Sequence, residues 1–198
     1  MLNKAVFLDR DGIINEMVYS EEHGYVDTPS RTQQFKLING VTKAIRIARA
    51  LDYKIIIISN QPGIAKGYYD KATFGMMRKK MHKVLRKSHA SVDDEFYCFH
   101  HPNAKIATYK KKCSCRKPST GLIKKAIRIH NVDLKKSYFI GDGLVDMEAA
   151  KKANCRSIFV GNVNSTITAL FKKKDIEPEY IARNLLDAMY FIRDKERV

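Results

Sequence analysis

Short apolar runs rich in β-branched residues alternate along this chain with stretches of helical period, and this alternation is what most restricts its fold. Three of the runs are residues 5–8, 55–58 and 138–140. Runs of this length and composition are typical of strands that are buried on both faces. Because such strands alternate with amphipathic helices, the sequence predicts an α/β fold with a doubly wound parallel sheet.

The remaining elements follow the same alternation. Helices are predicted near residues 40–51, 70–88, 121–131 and 145–153, further strands near 95–99 and 157–160, and a tail over 165–198 with a helix, a short strand at 180–182 and a final helix. Two irregular stretches, 12–36 and 100–118, are the candidates for a lid. We find no repeat or flexible linker, so residues 1–198 are predicted to form a single domain.

Polar side chains follow three of the predicted strands, at the point where each strand ends. Asp9 and Asp11 follow the first strand, Ser59 follows the second, and Asp142 and Asp146 follow the run at 138–140. In open α/β sheets ligands bind just outside the carboxyl ends of the strands. We therefore expect these groups to form one site, suited to a hard cation and a phosphate.

These residue types fit phosphoryl transfer. A carboxylate such as Asp9 can attack phosphorus, and a carboxyl group two residues later, Asp11, can protonate the leaving oxygen. Mg²⁺ binds through one or two carboxylates and several waters, and Asp9 and Asp142 can supply them. Ser59 and Lys117 can bind the phosphoryl oxygens. Each feature alone is weak evidence, but the four in this order are specific.

Four segments resemble, in this order, the four motifs of the haloacid dehalogenase superfamily of phosphatases. They are Asp9-Arg10-Asp11-Gly12, Ser59-Asn60-Gln61, Lys117, and Gly141-Asp142 with Asp146. The segments FLDRDGIIN, HGYV, SNQPGIAKG, CFHHP, CSCRKP and GDGLVDMEAAKKA are similar to its heptose bisphosphate phosphatase branch. The resemblance covers residue 5 to about 160. It implies a Rossmann-like fold with a small zinc-binding loop and no large cap domain, and removal of the 7-phosphate of D-glycero-D-manno-heptose 1,7-bisphosphate through an aspartyl-phosphate.

The resemblance also implies the roles of individual residues. Asp9 would be the nucleophile and Asp11 the general acid and base, while Ser59 and Lys117 would hold the phosphoryl group. The Mg²⁺ ligands would be Asp9, the backbone carbonyl of Asp11 and Asp142, with Asp146 behind them. The residues that would contact the substrate are His23, Gly24, Tyr25, Asn60 and Arg116.

The chain departs from that branch at three places. Gly143 stands where the branch usually has a lysine, and Phe99 where it usually has a proline. The loop between Asn15 and His23 is several residues longer. These changes bear on substrate preference more than on reaction class.

Four residues near the middle of the chain have the chemistry of a zinc site. Cys98-x-His100 is followed, after twelve residues, by Cys113-x-Cys115. Three thiolates and an imidazole form a closed tetrahedral set for Zn²⁺, with no position left for water, so the predicted zinc is structural. It would order the polar, lysine-rich loop at about 98–115. His101 is the alternative ligand, and the resemblance favours His100.

The charge and hydropathy of the chain limit which kinds of partner it can have. The formal net charge is +16, but the lysines are spread along the chain and no stripe of aromatic residues is interleaved with them. This pattern favours a solvated surface over a specific nucleic-acid groove. No apolar run approaches the length of a membrane span, and a strand begins within five residues of the start, which leaves no room for a signal peptide. We expect a cytoplasmic monomer acting on a small sugar phosphate.

Three alternatives remain open at this point. One is a histidinol-phosphate phosphatase, in which the gap between the histidine and the Cys-x-Cys pair is typically shorter. The second is a nucleic-acid 3′-phosphatase, which the charge suggests, although such enzymes lack the zinc loop. The third is a non-catalytic nucleic-acid-binding module that uses the zinc segment and its lysines. This last reading leaves Asp9, Asp11, Ser59, Lys117 and Asp142 unexplained.

Overall fold

The computed structural model describes residues 2–21 and 24–197, which form eight strands and seven α-helices. The strands are β1 (Lys4–Leu8), β2 (Val18–Ser20), β3 (Tyr25–Asp27), β4 (Tyr53–Asn60), β5 (Asp94–Cys98), β6 (Tyr138–Gly141), β7 (Arg156–Val160) and β8 (Tyr180–Ala182). The helices are α1 (Val41–Ala50), α2 (Gly63–Lys66), α3 (Lys71–Lys87), α4 (Gly121–His130), α5 (Leu144–Ala153), α6 (Ser165–Lys174) and α7 (Leu185–Lys195).

Six strands form one parallel sheet in the order β5-β4-β1-β6-β7-β8. The first strand, β1, lies between β4 and β6, so that Val6 is in register with Ile55 on one side and Tyr138 on the other. The chain builds the sheet outward from β1 to β5 and then crosses back to β6. The carboxyl ends of β1, β4 and β6 are therefore neighbours, at the point where the strand order reverses.

Helices cover both faces of this sheet, as predicted. Successive side chains of a strand point to opposite faces. One face packs against α1, α3 and α7, and the strand residues on it are Val6, Leu8, Ile55, Ile57, Tyr138 and Ile140. The other packs against α4 and α5, and its strand residues are Ala5, Phe7, Ile56, Ile58 and Phe139. These runs are apolar throughout because both faces are buried.

The start of α3 shows how the chain specifies a helix boundary. The side chain of Asp70 accepts a hydrogen bond from the Thr73 backbone N–H at 2.7 Å. It thereby satisfies one of the backbone donors that a first helical turn leaves unpaired. The predicted helix over 70–88 is confirmed, with the helical residues being Lys71–Lys87.

Two elements are absent from the sequence-based prediction. The predicted polar loop at 12–36 contains the antiparallel hairpin β2–β3, and the short helix α2 follows Pro62. Each strand of the hairpin has only three residues, and Tyr19, Tyr25 and Val26 are exposed. The hairpin therefore lacks the alternation of buried and exposed residues that marks a strand in sequence.

In the part of the chain that the structure describes, no helix is both long enough and apolar enough to span a membrane.

Candidate active site

The polar residues predicted to converge do lie together, at the carboxyl edge of the sheet. Asp9 directly follows β1, and its backbone N–H donates to the Ile140 carbonyl at 3.1 Å. This bond ties the end of β1 to the end of β6. Carboxylate oxygens of Asp9, Asp142 and Asp146 lie within 4.8 Å of one another.

Lys117 lies buried beneath these carboxylates, with 2% of its surface exposed. Its Nζ lies 2.9 Å from Asp9 Oδ1 and 2.6 Å from Asp146 Oδ1, and it donates to the Ile58 carbonyl at 2.8 Å. Burial alone would lower the pKa of Lys117, but the charges of Asp146 and Asp9 outweigh burial and raise it. The ammonium group thus lies between two carboxylates and one carbonyl oxygen, as a fixed positive charge beside Asp9.

Asn60 holds the backbone of the same lysine. Its Oδ1 accepts from the Lys117 N–H at 2.9 Å, and its Nδ2 donates to the Lys117 carbonyl at 3.1 Å. Both ends of the amide are thus bonded to Lys117. A contact between Asn60 and substrate stays a prediction, and the observed bonds indicate support of the lysine.

Of the last two carboxylates, Asp142 lies between β6 and α5, and Asp146 lies in the first turn of α5. The Gly143 N–H donates to Asp146 Oδ2 at 3.0 Å, and a Cβ at Gly141 would lie 2.5 Å from the Asp146 Cβ. Burial, then the charges of Asp9 and Asp146, raise the pKa of Asp142 to about 7. Burial also raises the pKa of Asp146 to about 6, with Lys117 opposing and Asp9 adding to the rise.

Gly12 lies against the side chain of Asp142. Its φ is +78°, a conformation that residues with a Cβ rarely adopt. A Cβ at this position would lie 1.9 Å from Asp142 Oδ2. Glycine is thus required here both for the turn after β1 and for the close approach of Asp142.

The carboxylate cluster fits a divalent cation. Asp9, Asp142 and Asp146 face one ammonium group, so the ionised cluster carries uncompensated negative charge. Burial is the main reason that the pKa values of Asp142 and Asp146 are raised, and the charge of Asp9 adds to the rise at both. A set of oxygen ligands with excess negative charge is what Mg²⁺ prefers.

Asp11 is buried and accepts hydrogen bonds from three side chains. Oδ1 accepts from Arg10 Nη2 at 2.9 Å and from Asn15 Nδ2 at 2.9 Å. Oδ2 accepts from Gln61 Nε2 at 2.5 Å and from Arg10 Nη2 at 3.2 Å. The hydroxyl of Tyr69 in turn donates to Gln61 Oε1 at 3.1 Å.

The sequence analysis missed these four supporting residues. Arg10, Asn15 and Gln61 lie inside the segments FLDRDGIIN and SNQPGIAKG, and Tyr69 lies two residues beyond the second. Their position in or beside a motif was the only available signal. Their bonding partners depend on how the strands pair, which residue spacing does not show.

The Cys/His cluster also comes together. Cys115 Sγ lies 3.2 Å from Cys98 Sγ, 3.1 Å from Cys113 Sγ and 3.3 Å from His100 Nδ1. His101, the alternative ligand, instead accepts from the Asn103 N–H through its Nδ1. Three unpaired thiols and one imidazole nitrogen at these distances suit a tetrahedral metal such as zinc.

The other predicted substrate contacts are Arg116, Gly24, Tyr25 and His23. Arg116 immediately precedes Lys117, and its Nη1 donates to the His100 carbonyl at 3.3 Å. Gly24 and Tyr25 belong to the hairpin, and a hydrogen bond with the Tyr68 side chain raises the pKa of Tyr25. His23 lies outside the described residues.

Known proteins resemble this chain along its whole length. The family model described as HAD-hydrolase-like matches residues 114–188. The D-glycero-beta-D-manno-heptose-1,7-bisphosphate 7-phosphatase of Haemophilus ducreyi is 34% identical over 193 residues, which are 97% of this chain and 100% of the relative. The protein of the same name from Salmonella typhi is 32% identical over 98% of this chain and 97% of the relative.

A solved structure agrees with these relatives. The D,D-heptose 1.7-bisphosphate phosphatase from B. bronchiseptica, complexed with magnesium and phosphate, has a TM-score of 0.79 with this chain. The two are 26% identical, and the similarity covers 97% of this chain and 99% of that one.

Proposed function

Because this chain belongs to the haloacid dehalogenase-like phosphatases, in the family of the D-glycero-β-D-manno-heptose-1,7-bisphosphate 7-phosphatases, we propose that it removes the 7-phosphate of that sugar bisphosphate. The observation that carries the proposal is the arrangement around Asp9. Its carboxylate stands at the carboxyl edge of the sheet, paired with a buried lysine and beside Asp142.

The reaction proceeds in two displacements. The Asp9 carboxylate attacks phosphorus, the bond from phosphorus to the sugar oxygen breaks, and Asp11 gives its proton to that oxygen. Asp11 then takes a proton from water, whose oxygen attacks phosphorus and releases Asp9 and inorganic phosphate. Lys117 and Ser59 hold the phosphoryl oxygens during both displacements.

Mg²⁺, when bound by Asp9, the Asp11 carbonyl and Asp142, supplies positive charge that offsets the charge of the phosphoryl group. Asp146 has a different role, because its carboxylate pairs with Lys117 and accepts from the Gly143 N–H. It keeps the lysine charged and in place.

The Cys98, His100, Cys113 and Cys115 set holds Zn²⁺ with a structural role. All four positions are protein atoms, so no ligand position is left for a reacting water. The loop that the metal would order continues directly into Arg116 and Lys117.

Arg116 selects the bisphosphate by binding the phosphate that does not react. A guanidinium group can bind a phosphate through two parallel hydrogen bonds, and binding energy from such a remote group raises the rate at the reacting one. Gly143 removes the lysine that usually stands beside the site, so the reliance on Arg116 should be greater.

The direct test is phosphate release from heptose 1,7-bisphosphate, heptose 7-phosphate, histidinol phosphate and a 3′-phosphorylated oligonucleotide. We expect Mg²⁺-dependent turnover with the bisphosphate preferred, and Asp9→Asn should lower kcat by at least about 10³-fold. Near-normal turnover by Asp9→Asn would overturn the mechanism. A preference for histidinol phosphate would overturn only the substrate.

The role of Arg116 in substrate choice is tested by Arg116→Ala. It should remove much of the preference for bisphosphate over monophosphate, by roughly 1.5–3 kcal/mol, the scale of a hydrogen bond to a charged group. The measurement is kcat/KM for both sugars. Arg128→Ala, an exposed arginine on α4, is the control and should leave the ratio unchanged.

A further inference from the structure

The two oxygens of Asp11 are not equivalent in this structure. Oδ1 is occupied by Arg10, through Nη2 at 2.9 Å and Nε at 3.3 Å, and by Asn15 Nδ2 at 2.9 Å. A proton on Oδ1 would be directed at groups that can only donate. Oδ2 has fewer donors around it, Gln61 Nε2 at 2.5 Å and the Arg10 Nη2 that it shares with Oδ1 at 3.2 Å, so it is the oxygen more open to exchange a proton.

Gln61 connects two of the groups that the proposed reaction uses. Besides Asp11 Oδ2, its Nε2 donates to Ser59 Oγ at 3.0 Å. One amide nitrogen thus fixes the spacing between the proton-transferring carboxyl and the hydroxyl that binds the phosphoryl group. Gln61 and Ser59 are each 1% exposed, so water does not compete for these bonds.

Tyr69 determines which end of the Gln61 amide faces Asp11. An amide can turn by 180° and exchange its oxygen and nitrogen, which would place Oε1 against the Asp11 carboxylate. The Tyr69 hydroxyl donates to Oε1 at 3.1 Å and so marks the oxygen end.

The Tyr69 ring is itself held in place by packing. It stacks on Phe74, with ring centroids 6.5 Å apart and planes 10° from parallel. A Cβ at Gly63 would lie 2.2 Å from the ring, so a glycine in α2 is what admits Tyr69. Packing in the aromatic core thus fixes Tyr69, which bonds Gln61, which in turn bonds Asp11.

We propose that Gln61, oriented by the Tyr69 hydroxyl, is a positioning residue for proton transfer at Asp11 Oδ2. The inference rests on the proposed phosphatase mechanism, in which Asp11 protonates the leaving oxygen. Gln61 exchanges no proton itself and acts through Asp11. It acts by holding Oδ2 at the distance and angle from which the proton reaches the leaving group.

The test compares two kinds of leaving group. A sugar alkoxide must be protonated as it leaves, whereas the 4-nitrophenolate of 4-nitrophenyl phosphate leaves without a proton. A variant that impairs proton transfer by Asp11 therefore lowers kcat/KM only for the sugar phosphate. A loss at Ser59, or a general loss of structure, slows both substrates alike.

The variants are Tyr69→Phe, which removes one hydroxyl, and Gln61→Met, which keeps the length of the side chain and removes both amide ends. We expect Tyr69→Phe to lower kcat/KM for the sugar phosphate about 5-fold or more, and Gln61→Met about 50-fold or more, within the range that general acid catalysis contributes. For 4-nitrophenyl phosphate the loss should stay below about threefold. The quantity kcat/KM is used because it reports the first displacement, in which Asp11 acts as the acid.

Tyr53→Phe is the matched control. Tyr53 is also buried, and its hydroxyl donates to Glu196 at the start of β4, the end of that strand away from Ser59. The Tyr53→Phe variant should be less stable than the wild type, while the ratio of kcat/KM between the two substrates should stay the same. Equal losses on both substrates in Gln61→Met, or an unchanged ratio in both variants, would overturn the proposal.

The ratio can be measured with any alkyl phosphate that the wild type hydrolyses. A failure of the heptose assignment, seen as no turnover of the bisphosphate by the wild type, is therefore distinguishable from a failure of the role of Gln61.

Discussion

Arg10 is a fully buried arginine next to the active site, with 1% of its surface exposed. Its guanidinium carbon lies 5.8 Å from the centroid of the Phe35 ring and 5.4 Å from that of Phe74. Its charge is matched by Asp11, with Nη2 2.9 Å from Oδ1. Burial would lower the pKa of Arg10, but Asp11 outweighs it and raises the pKa.

Removing this arginine should therefore leave a buried carboxylate without its partner. We expect Arg10→Met to lower the free energy of unfolding by about 3–5 kcal/mol, measured by urea denaturation. Arg193 also pairs with the aspartate that follows it, but at the surface, so Arg193→Met should cost at most about 1 kcal/mol. The double variant Arg10→Met/Asp11→Leu should recover part of the loss, and equal effects of the two single variants would contradict this account.

The pKa of Asp142 gives a prediction for pH and magnesium. This pKa is about 7 in the folded protein against 3.8 for the ordinary carboxyl, so the folded state binds the extra proton between those values. The free energy of unfolding of the metal-free protein should fall as pH rises from about 4 to about 7. Because Mg²⁺ binds the ionised carboxylates, its stabilisation, about 2.7 kcal/mol at 100 times its Kd, should be larger at pH 8 than at pH 5.5.

Thermal denaturation with and without MgCl₂ at the two pH values measures this difference. Asp142→Asn should weaken both the pH slope of the metal-free protein and the response to Mg²⁺. A magnesium effect of the same size at both pH values in the wild type would contradict the role given to Asp142.

At the residue level, the reacting groups could be predicted from the sequence, but the residues that hold them in place could not. Asp9, Ser59 and Asp142 each follow an apolar run, so the parallel sheet alone brings them together. Tyr69, by contrast, reaches Gln61 only because Gly63 leaves space for its ring. That dependence is a matter of packing, which residue types in a row do not record.

Among the elements, the segment from Cys113 to Gly121 joins the Cys/His cluster to the catalytic edge. The Gly121 N–H donates to the Ser114 carbonyl at 2.9 Å, so the segment closes on itself before α4 begins. A Cβ at Gly121 would lie 2.4 Å from that carbonyl oxygen. Between these ends the backbone of Lys117 is held by Asn60.

Loss of one thiol should loosen this segment. We expect Cys113→Ser to lose the copurified zinc, to lower the melting temperature and to raise hydrogen exchange over residues 100–115, while the chemistry is slowed less than in Asp9→Asn. Cys155→Ser is the control, because Cys155 lies apart from the cluster and its Sγ donates to the Ser137 carbonyl. Elemental analysis that finds no zinc in the freshly purified wild type would contradict the assignment.

Elements were predictable where a hydrophobic pattern accompanied them. The six strands of the main sheet and the longer helices carry continuous or periodic apolar residues, and their predicted positions are confirmed within a few residues. The hairpin β2–β3 and the four-residue α2 carry no such pattern. Their conformation follows from local turns and from contacts such as that between Tyr25 and Tyr68.

On the scale of the whole molecule, cations exceed anions by 37 to 21. The excess is spread over helices and loops, including Lys124, Lys125 and Arg128 on the exposed side of α4. Such a surface attracts polyanions through charge alone.

We therefore expect weak association with nucleic acid that shows no preference for sequence or strand end. Affinity for a single-stranded oligonucleotide should fall by about tenfold or more between 50 and 200 mM salt, as counterion release requires for several phosphate contacts. Fluorescence anisotropy over that range measures it. A sub-micromolar complex near physiological salt that is selective for a 3′-phosphate would support the end-processing alternative instead.

Burial differs sharply between the residues that build the phosphoryl-transfer centre and the hairpin predicted to meet the sugar. Lys117, Asp146 and Gln61 are buried, whereas Tyr19, Tyr25 and Val26 are exposed. Exposed positions tolerate substitution, commonly within about 0.5 kcal/mol of folding free energy. A variant library confined to the hairpin could thus be screened for new phosphate esters while nearly every member still folds and keeps the same reaction. In a lineage of such proteins, substrate range could drift through this hairpin while the phosphoryl-transfer centre stayed fixed.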